Sequence, residues 1–458
     1  MNNNCVITKG IMDYQVIQRD KNNTGTIRLE GTWECDAACK VMVRIVREYT
    51  GAPVNKQFNW QPANTNPNHT WDITIKDIPV GGPYRLETSI QNIILCEFAH
   101  NIYVGDLWVI AGQSNAAGIG RGEIEDIPEP GIHIFKNEEK WALAMHPFNE
   151  ATRTAHPVNR EGGPAHSPFL TFGKRIKHES GIPVGFIQTA LGGSALSSWN
   201  PGDPSGNEPV LFKNMIHCIG LAGNKIIGIL WYQGESDSGS IETAQNYADR
   251  FINFVNKTRQ QLHCPELPVI TVQLNVVTTK EWLVNNTFWS MVKEYQRQIP
   301  NKLNNVFVVP GIGLPLSDGI HNSTAGNIIL GNRLADCALT EIYKTKSSYK
   351  SPEPKSAVIS QDKLVITLEF DYVESFLTPL LNDGTIDSDF VVEDSTGRIK
   401  INNAKLEVPN KVVITLENPA KNNVRIHGLY GTNPTVNLHD FDPVRPIMSF
   451  YNFEVQSS

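Results

Sequence analysis

The sequence predicts an α/β protein: a three-layer domain on a parallel sheet, flanked by an N-terminal and a C-terminal β-sandwich-like domain. Three observations support that reading. In the middle of the chain, short apolar runs rich in Val and Ile alternate with longer helical patterns, as buried parallel strands do with their crossover helices. Before about residue 103 and after about residue 351, partial period-2 alternation and turn clusters replace that rhythm. Ser351-Pro352-Glu353-Pro354 reads as the linker into the last part. The expected domains are 1–103, 104–348 and 349–458.

In the first domain, GTIRLEGTW and KVMVRIVREY are the clearest strands, and Asn/Gly/Pro-rich turns separate them from the rest. The middle domain has five strand runs: DLWVIAG, IPVGFIQTA, IIGILWYQG, LPVITVQLN and NVFVVPGIG. Helical patterns lie between or after them at 167–179, 241–263, 288–298 and 324–343. In the last domain, KLVITLEF, DFVVEDSTGRIKI, KVVITLEN and NVRIHGLYG read as strands joined by Asn/Asp/Gly turns.

Composition excludes several function classes. Apolar residues make up 40% of the 458, which rules out global disorder. Lys and Arg number 40 against 47 Asp and Glu, a net charge of −7, so no nucleic-acid partner is expected. No stretch approaches ~18 consecutive apolar residues, so no membrane partner is expected. MNNNCVITKG has no positive cluster before an apolar core. A signal peptide is therefore absent or was removed, and a cytoplasmic, bacterial protein is the expectation. The seven cysteines are few for the length and include no CxxC pair. Cys35 and Cys39 have no second Cys/His pair at zinc spacing, so reduced, mostly buried thiols are expected.

In a parallel sheet, ligands bind beyond the carboxyl ends of the strands. After DLWVIAG comes Gln113-Ser114-Asn115-Ala116, where Ser114 is either a nucleophile or an ordinary turn serine. It is not a G-x-S-x-G elbow, because Ala116 stands two residues after it. After IPVGFIQTA, Gly192 and Gly193 offer backbone N–H groups with no Cβ in the way. After IIGILWYQG, the Gln233 amide is a candidate oxyanion donor and Glu235 a support residue or a competing acid. After NVFVVPGIG, Asp318 and His321 stand three apart before a helix, so that Asp318 can orient the His321 imidazole as a general base. Asn322-Ser323-Thr324 is a sequon beside that histidine, and a glycan there would obstruct the cleft. The other histidines show no metal-binding spacing, so no metal is expected.

GQSN, the paired glycines, WYQGES and DGIH together resemble the SGNH-hydrolase superfamily. More narrowly, they resemble its sialate O-acetylesterase-like, carbohydrate acetylesterase branch. There, Gly-Gln-Ser-Asn replaces the commoner Gly-Asp-Ser-Leu, and Gln-Gly-Glu stands where others have Gly-x-Asn-Asp. The resemblance implies a flavodoxin-like catalytic domain and a serine esterase that needs neither cofactor nor metal. It implies Ser114 as nucleophile, His321 as base and Asp318 as its partner. The oxyanion hole would use the Ser114 N–H, an N–H of Gly192 or Gly193, and the Gln233 amide, with Asn115 and Glu235 as support. The branch often has Met where this chain has Ala116, a change in packing that removes no catalytic group.

The implied substrate is an acetylated mono- or oligosaccharide of sialic acid, xylan or another type. Trp199, Trp231 and Tyr232 read either as sugar contacts or as core aromatics. Arg121, Arg153 and Arg160 are candidates to pair with a sialic-acid carboxylate, which a neutral sugar would not require. A non-catalytic sugar-binding protein on a hydrolase fold, and a lipase or other esterase, are the alternatives.

Overall fold

The computed structural model describes residues 4–35, 39–91, 94–150, 154–155, 165–279, 284–380 and 384–458. Arg153 and Arg160 lie outside them. In the N-terminal part, strand Thr24–Glu34 pairs antiparallel with Asn4–Lys9 and with Thr70–Pro79. A second layer pairs Val41–Arg47 with Gly81–Ile90. The alternation read from the sequence places Ile27 and Leu29 against Val43 and Ile45 in one apolar core.

Gly81–Ile90 then pairs with the first half of a 19-residue strand, Ile94–Gly112. The second half of that strand sits between Val184–Gln188 and Gly228–Tyr232, parallel to both. The strand order is Trp141–Leu143, Ile132–Phe135, Val184–Gln188, Ile94–Gly112, Gly228–Tyr232, Val269–Gln273, Val306–Pro310. The six after the first run parallel to one another. Helices pack against these strands, and Val184–Gln188, Gly228–Tyr232 and Val269–Gln273 are buried at every position.

The expected boundary at 103/104 falls inside Ile94–Gly112, and that strand joins the antiparallel and parallel strands into one mixed 11-stranded sheet. The protein is thus α/β, with mixed parallel and antiparallel pairing and β-rich flanks. Arg19 fastens the junction by donating through Nε and Nη2 to the buried Asp106 carboxylate, at 2.9 Å each. Among the helices, the expected 241–263 is two, Ile241–Gln245 and Tyr247–Gln261, which meet at Asn246. Val210–Leu221, which follows a Pro/Gly-rich stretch, was not anticipated. Among the described residues no helix is long and apolar enough to cross a membrane.

The C-terminal strands form a second apolar core around Ile366, Leu368, Val412, Ile414 and Phe450. It docks on the middle of the chain through polar contacts as well as apolar ones. Lys293 Nζ donates to the Leu429 and Gly431 carbonyls at 2.8 and 3.2 Å, and burial pushes its ammonium down to about 7. Gln273 exchanges two hydrogen bonds with the Ser449 backbone.

One cysteine expectation is corrected. Cys35 and Cys39 are joined as a disulfide, while Cys5, Cys218 and Cys337 are buried free thiols.

The strand that leads into Ser114 ends at a glycine for a steric reason. Gly112 has φ +124°, and a Cβ there would lie 2.2 Å from the Tyr232 carbonyl oxygen. Gly112→Ala is expected to cost more than about 1 kcal/mol, since both the backbone conformation and the strand contact oppose the methyl group. A thermal unfolding midpoint equal to the parent's would refute this.

Candidate active site

Ser114 begins a one-turn helix, Ser114–Ala117, directly after the long strand. The Gln113 carbonyl accepts from the Ala116 and Ala117 N–H groups, and the turn closes at Gly118 with φ +90°. As the first helical residue, Ser114 has a backbone N–H with no intrahelical acceptor. Ala116 is fully buried under this turn.

Asp318 and His321 lie on the loop after Val306–Pro310. Asp318 Oδ1 accepts from the Ile320 and His321 N–H groups at 2.9 and 2.8 Å. That local turn leaves Oδ2 facing His321 Nδ1 at 2.7 Å. His321 Nε2 then faces Ser114 Oγ at 3.0 Å. Burial opposes ionisation of Asp318, but the two N–H donors and the imidazole outweigh it and hold the carboxyl below its ordinary range. An ionised Asp318 accepts Nδ1–H, so the Nε2 lone pair is left for the serine hydroxyl.

Asn115 ties these two loops together. Its Oδ1 accepts the Asn322 N–H at 3.0 Å, and its Nδ2 donates to Glu235 Oε1 at 2.9 Å and toward the Ile320 carbonyl at 3.4 Å. Glu235 therefore meets Asn115, whereas Asp318 meets the imidazole. Burial pushes the Glu235 carboxyl up, with the Asn115 amide opposing.

Gln233 does not reach the cleft. It is completely buried, and its Nε2 donates to Asp237 Oδ2 at 2.5 Å and to the Ser194 carbonyl at 3.2 Å. Asp237 is held in turn by the Leu196 N–H at 2.8 Å and faces Arg250 at 3.9 Å. Gln233 thus secures the floor of the site, a correction to its expected place as an oxyanion donor. Gln113, which the sequence reading left without a role, lines the cleft instead. Its Oε1 accepts the Ser236 N–H at 3.2 Å, an orientation that turns the Nε2 hydrogens away from that contact.

Ser114, His321, Gln113 and Gly193 face a cleft of about 470 Å³ whose apolar wall includes Ile119, Val284 and Ile320. Gly193 is exposed with φ +65°, and its carbonyl accepts from Ser236 Oγ at 3.1 Å. Gly192 is half-buried behind it. Trp199, Trp231 and Tyr232 are core residues, at most 1% exposed. Trp199 packs edge-on against Trp231 at 5.3 Å, which removes all three from the sugar-contact set. Arg121 is exposed on a neighbouring cavity. There the fold gathers Asp126, His146 and His166, a cluster with no local signature in the sequence.

Residues 104–340 match the family model described as "Carbohydrate esterase, sialic acid-specific acetylesterase". A probable carbohydrate esterase of Arabidopsis thaliana is 27% identical over 254 residues, covering 51% of this chain and 90% of that protein. The sialate O-acetylesterase of Homo sapiens is 21% identical over 204 residues, covering 37% of this chain and 38% of that protein. The crystal structure of a carbohydrate acetylesterase from Xanthomonas citri has the same fold, with TM-score 0.71 at 20% identity over 97% of this chain and 99% of that one.

The two carboxylates are separable by mutation. Asp318→Asn is expected to lower kcat for p-nitrophenyl acetate hydrolysis by up to ~10⁴, because the imidazole loses its fixed tautomer. Glu235→Gln keeps an oxygen for Asn115 and is expected to cost far less. The reverse ranking would reassign the orienting carboxylate to Glu235.

Proposed function

The chain belongs to the carbohydrate esterase family of sialic acid-specific acetylesterases, and we infer that it releases acetate from O-acetylated sugars with Ser114 as nucleophile, His321 as general base and Asp318 as the orienting carboxylate. The observation that supports this most is the continuous line from Asp318 Oδ2 through the imidazole to Ser114 Oγ, at 2.7 and 3.0 Å. The finer fold reading is that the six parallel strands with their helices follow the three-layer SGNH-type plan.

In the acylation step His321 Nε2 takes the hydroxyl proton as Ser114 Oγ attacks the acetyl carbonyl. The negative charge moves to the carbonyl oxygen, which needs donors beside the serine. The Ser114 N–H and the Gly193 N–H are two. The Gln113 Nε2 amide is the third, replacing Gln233, whose amide is already engaged with Asp237 and Ser194. The sugar oxygen leaves with the proton from His321. Water then attacks the acetyl-enzyme with His321 again as base, freeing acetate and Ser114. Asn115 and Glu235 hold the two loops in register and touch no reacting atom. The wall of Ile119, Val284 and Ile320 suits a small apolar acyl group.

Ser114→Ala is expected to abolish acetate release by several orders of magnitude with the unfolding midpoint unchanged, because only the attacking oxygen is removed. Acetate release should be compared on O-acetylated sialic acids, xylo-oligosaccharides and manno-oligosaccharides. No release from any of them would sink the reading.

Gln113→Ala separates the two glutamines. A missing oxyanion donor lowers kcat by about 10²–10³ with KM little changed. Gln233→Ala is expected to lower the unfolding midpoint instead, since it leaves Asp237 with one fewer donor in the interior.

A further inference from the structure

Beside the cleft, three side chains from separate segments converge on one point. We propose that Asp126, His146 and His166 form a binding site for a divalent transition-metal ion of the zinc class. Asp126 Oδ2 lies 3.2 Å from His146 Nε2 and 3.2 Å from His166 Nε2, and the three ligand atoms all lie within 4.8 Å of one another. Zinc bonds to nitrogen and carboxylate oxygen of ~2.0–2.2 Å, set at a tetrahedral angle, place neighbouring donor atoms about 3.3 Å apart. The two Asp126–His distances fit that edge, and they also lie at the long end of the N–H···O range of ~2.7–3.2 Å.

The ligands are held by the surrounding chain. The Asp126 and His166 side chains are 8% and 6% exposed, and the His146 side chain is 18% exposed. His166 is fixed through its backbone, which pairs with Gly120 in both directions. Its Nδ1 is buried with no hydrogen-bond partner. The remaining coordination positions open on a cavity of about 520 Å³ whose lining includes Gly120, Met145 and Thr324, which leaves room for water as further ligand. Two neighbours oppose the ion. Lys174 Nζ donates to Asp126 Oδ1 at 2.5 Å, and the Ser167 N–H points at His146 Nδ1 at 3.3 Å. A ligating Nε2 must be free of its proton, which places an N–H at Nδ1; at His166 that nitrogen is buried without an acceptor, a further cost. At His146 that placement gives up the long Ser167 contact. Lys174, with a side chain 23% exposed, can turn toward solvent, and its charge weakens the site without closing it.

A bound ion would tie the loop leaving the Ser114 turn to the segment that enters helix Phe169–Ser180. It takes no part in the acyl-transfer steps and does not depend on them.

The test uses the full chain after chelator treatment, titrated with Co²⁺ by visible absorption and with Zn²⁺ by calorimetry. The expected result is saturation at one equivalent per chain, lost in His146→Ala and in His166→Ala. Asp318→Asn is expected to leave it intact, which separates this site from the His321 pair. Lys174→Gln is expected to tighten binding by about tenfold or more, because it removes a positive charge beside the ligating carboxylate. That gain also serves as the readout if a histidine variant fails to fold. No saturable binding, binding that survives in both folded histidine variants, or weaker binding in Lys174→Gln would each overturn the proposal.

Discussion

The side-chain amide of Asn115 is the contact on which the site's geometry rests. Ser114 and His321 come from loops that the sequence separates widely, and a distance of 3.0 Å between them requires those loops to be held in register. Asn115 adjoins the serine and binds the backbone on both sides of the histidine, at Ile320 and Asn322. Its remaining interaction anchors the amide to Glu235. An apolar side chain of similar size would leave the Asn322 N–H and a carboxylate oxygen unpaired in the interior, each at a desolvation cost of ~1–3 kcal/mol or more. One amide thus couples the loops of three different strands, and the Ser114–His321 spacing follows from the buried network around it.

The same logic explains the acidic groups under the site. Glu235 and Asp237 are both buried, and burial pushes both carboxyls up. They are answered by amides and backbone N–H groups more than by cations, since Arg250 stands 3.9 Å from Asp237 and pairs more closely with Asp203 at 3.1 Å. Neutral donors can fix a carboxylate without the full cost of burying an ion pair. Asp318 differs because it is partly exposed and receives two backbone N–H groups from its own turn, so its carboxyl stays below the ordinary range.

What the sequence made legible was what local chemistry determines. The Asp318–His321 pairing is an Asx-type turn written within four residues, and Ser114 follows a run whose strand character is plain. The inward direction of Gln233 was not legible, because it depends on Asp237 and on Ser194, which another strand's loop supplies. The aromatic residues near the motifs misled for a related reason. When helices cover both faces of a strand, a Trp or Tyr on either face is core, so proximity in sequence to a catalytic block says nothing about exposure. The Asp126–His146–His166 cluster has no signature at all, since its members are far apart in sequence and are brought together by contacts such as the Gly120–His166 pairing.

The long strand Ile94–Gly112 has a consequence for modularity. Its middle residues, Tyr103 to Gly105, pair with Val16–Gln18, and its next residue, Asp106, receives Arg19. A cut at the apparent border would strip one partner from the strand that leads into Ser114 and strand a buried carboxylate without its cation. The β-rich first part is therefore not a detachable cassette that evolution or an engineer could exchange whole. Any minimal hydrolase taken from this chain must bring the Val16–Arg19 segment with it, and a cut just upstream of that segment would in turn part Asn4–Lys9 from its partner Thr24–Glu34.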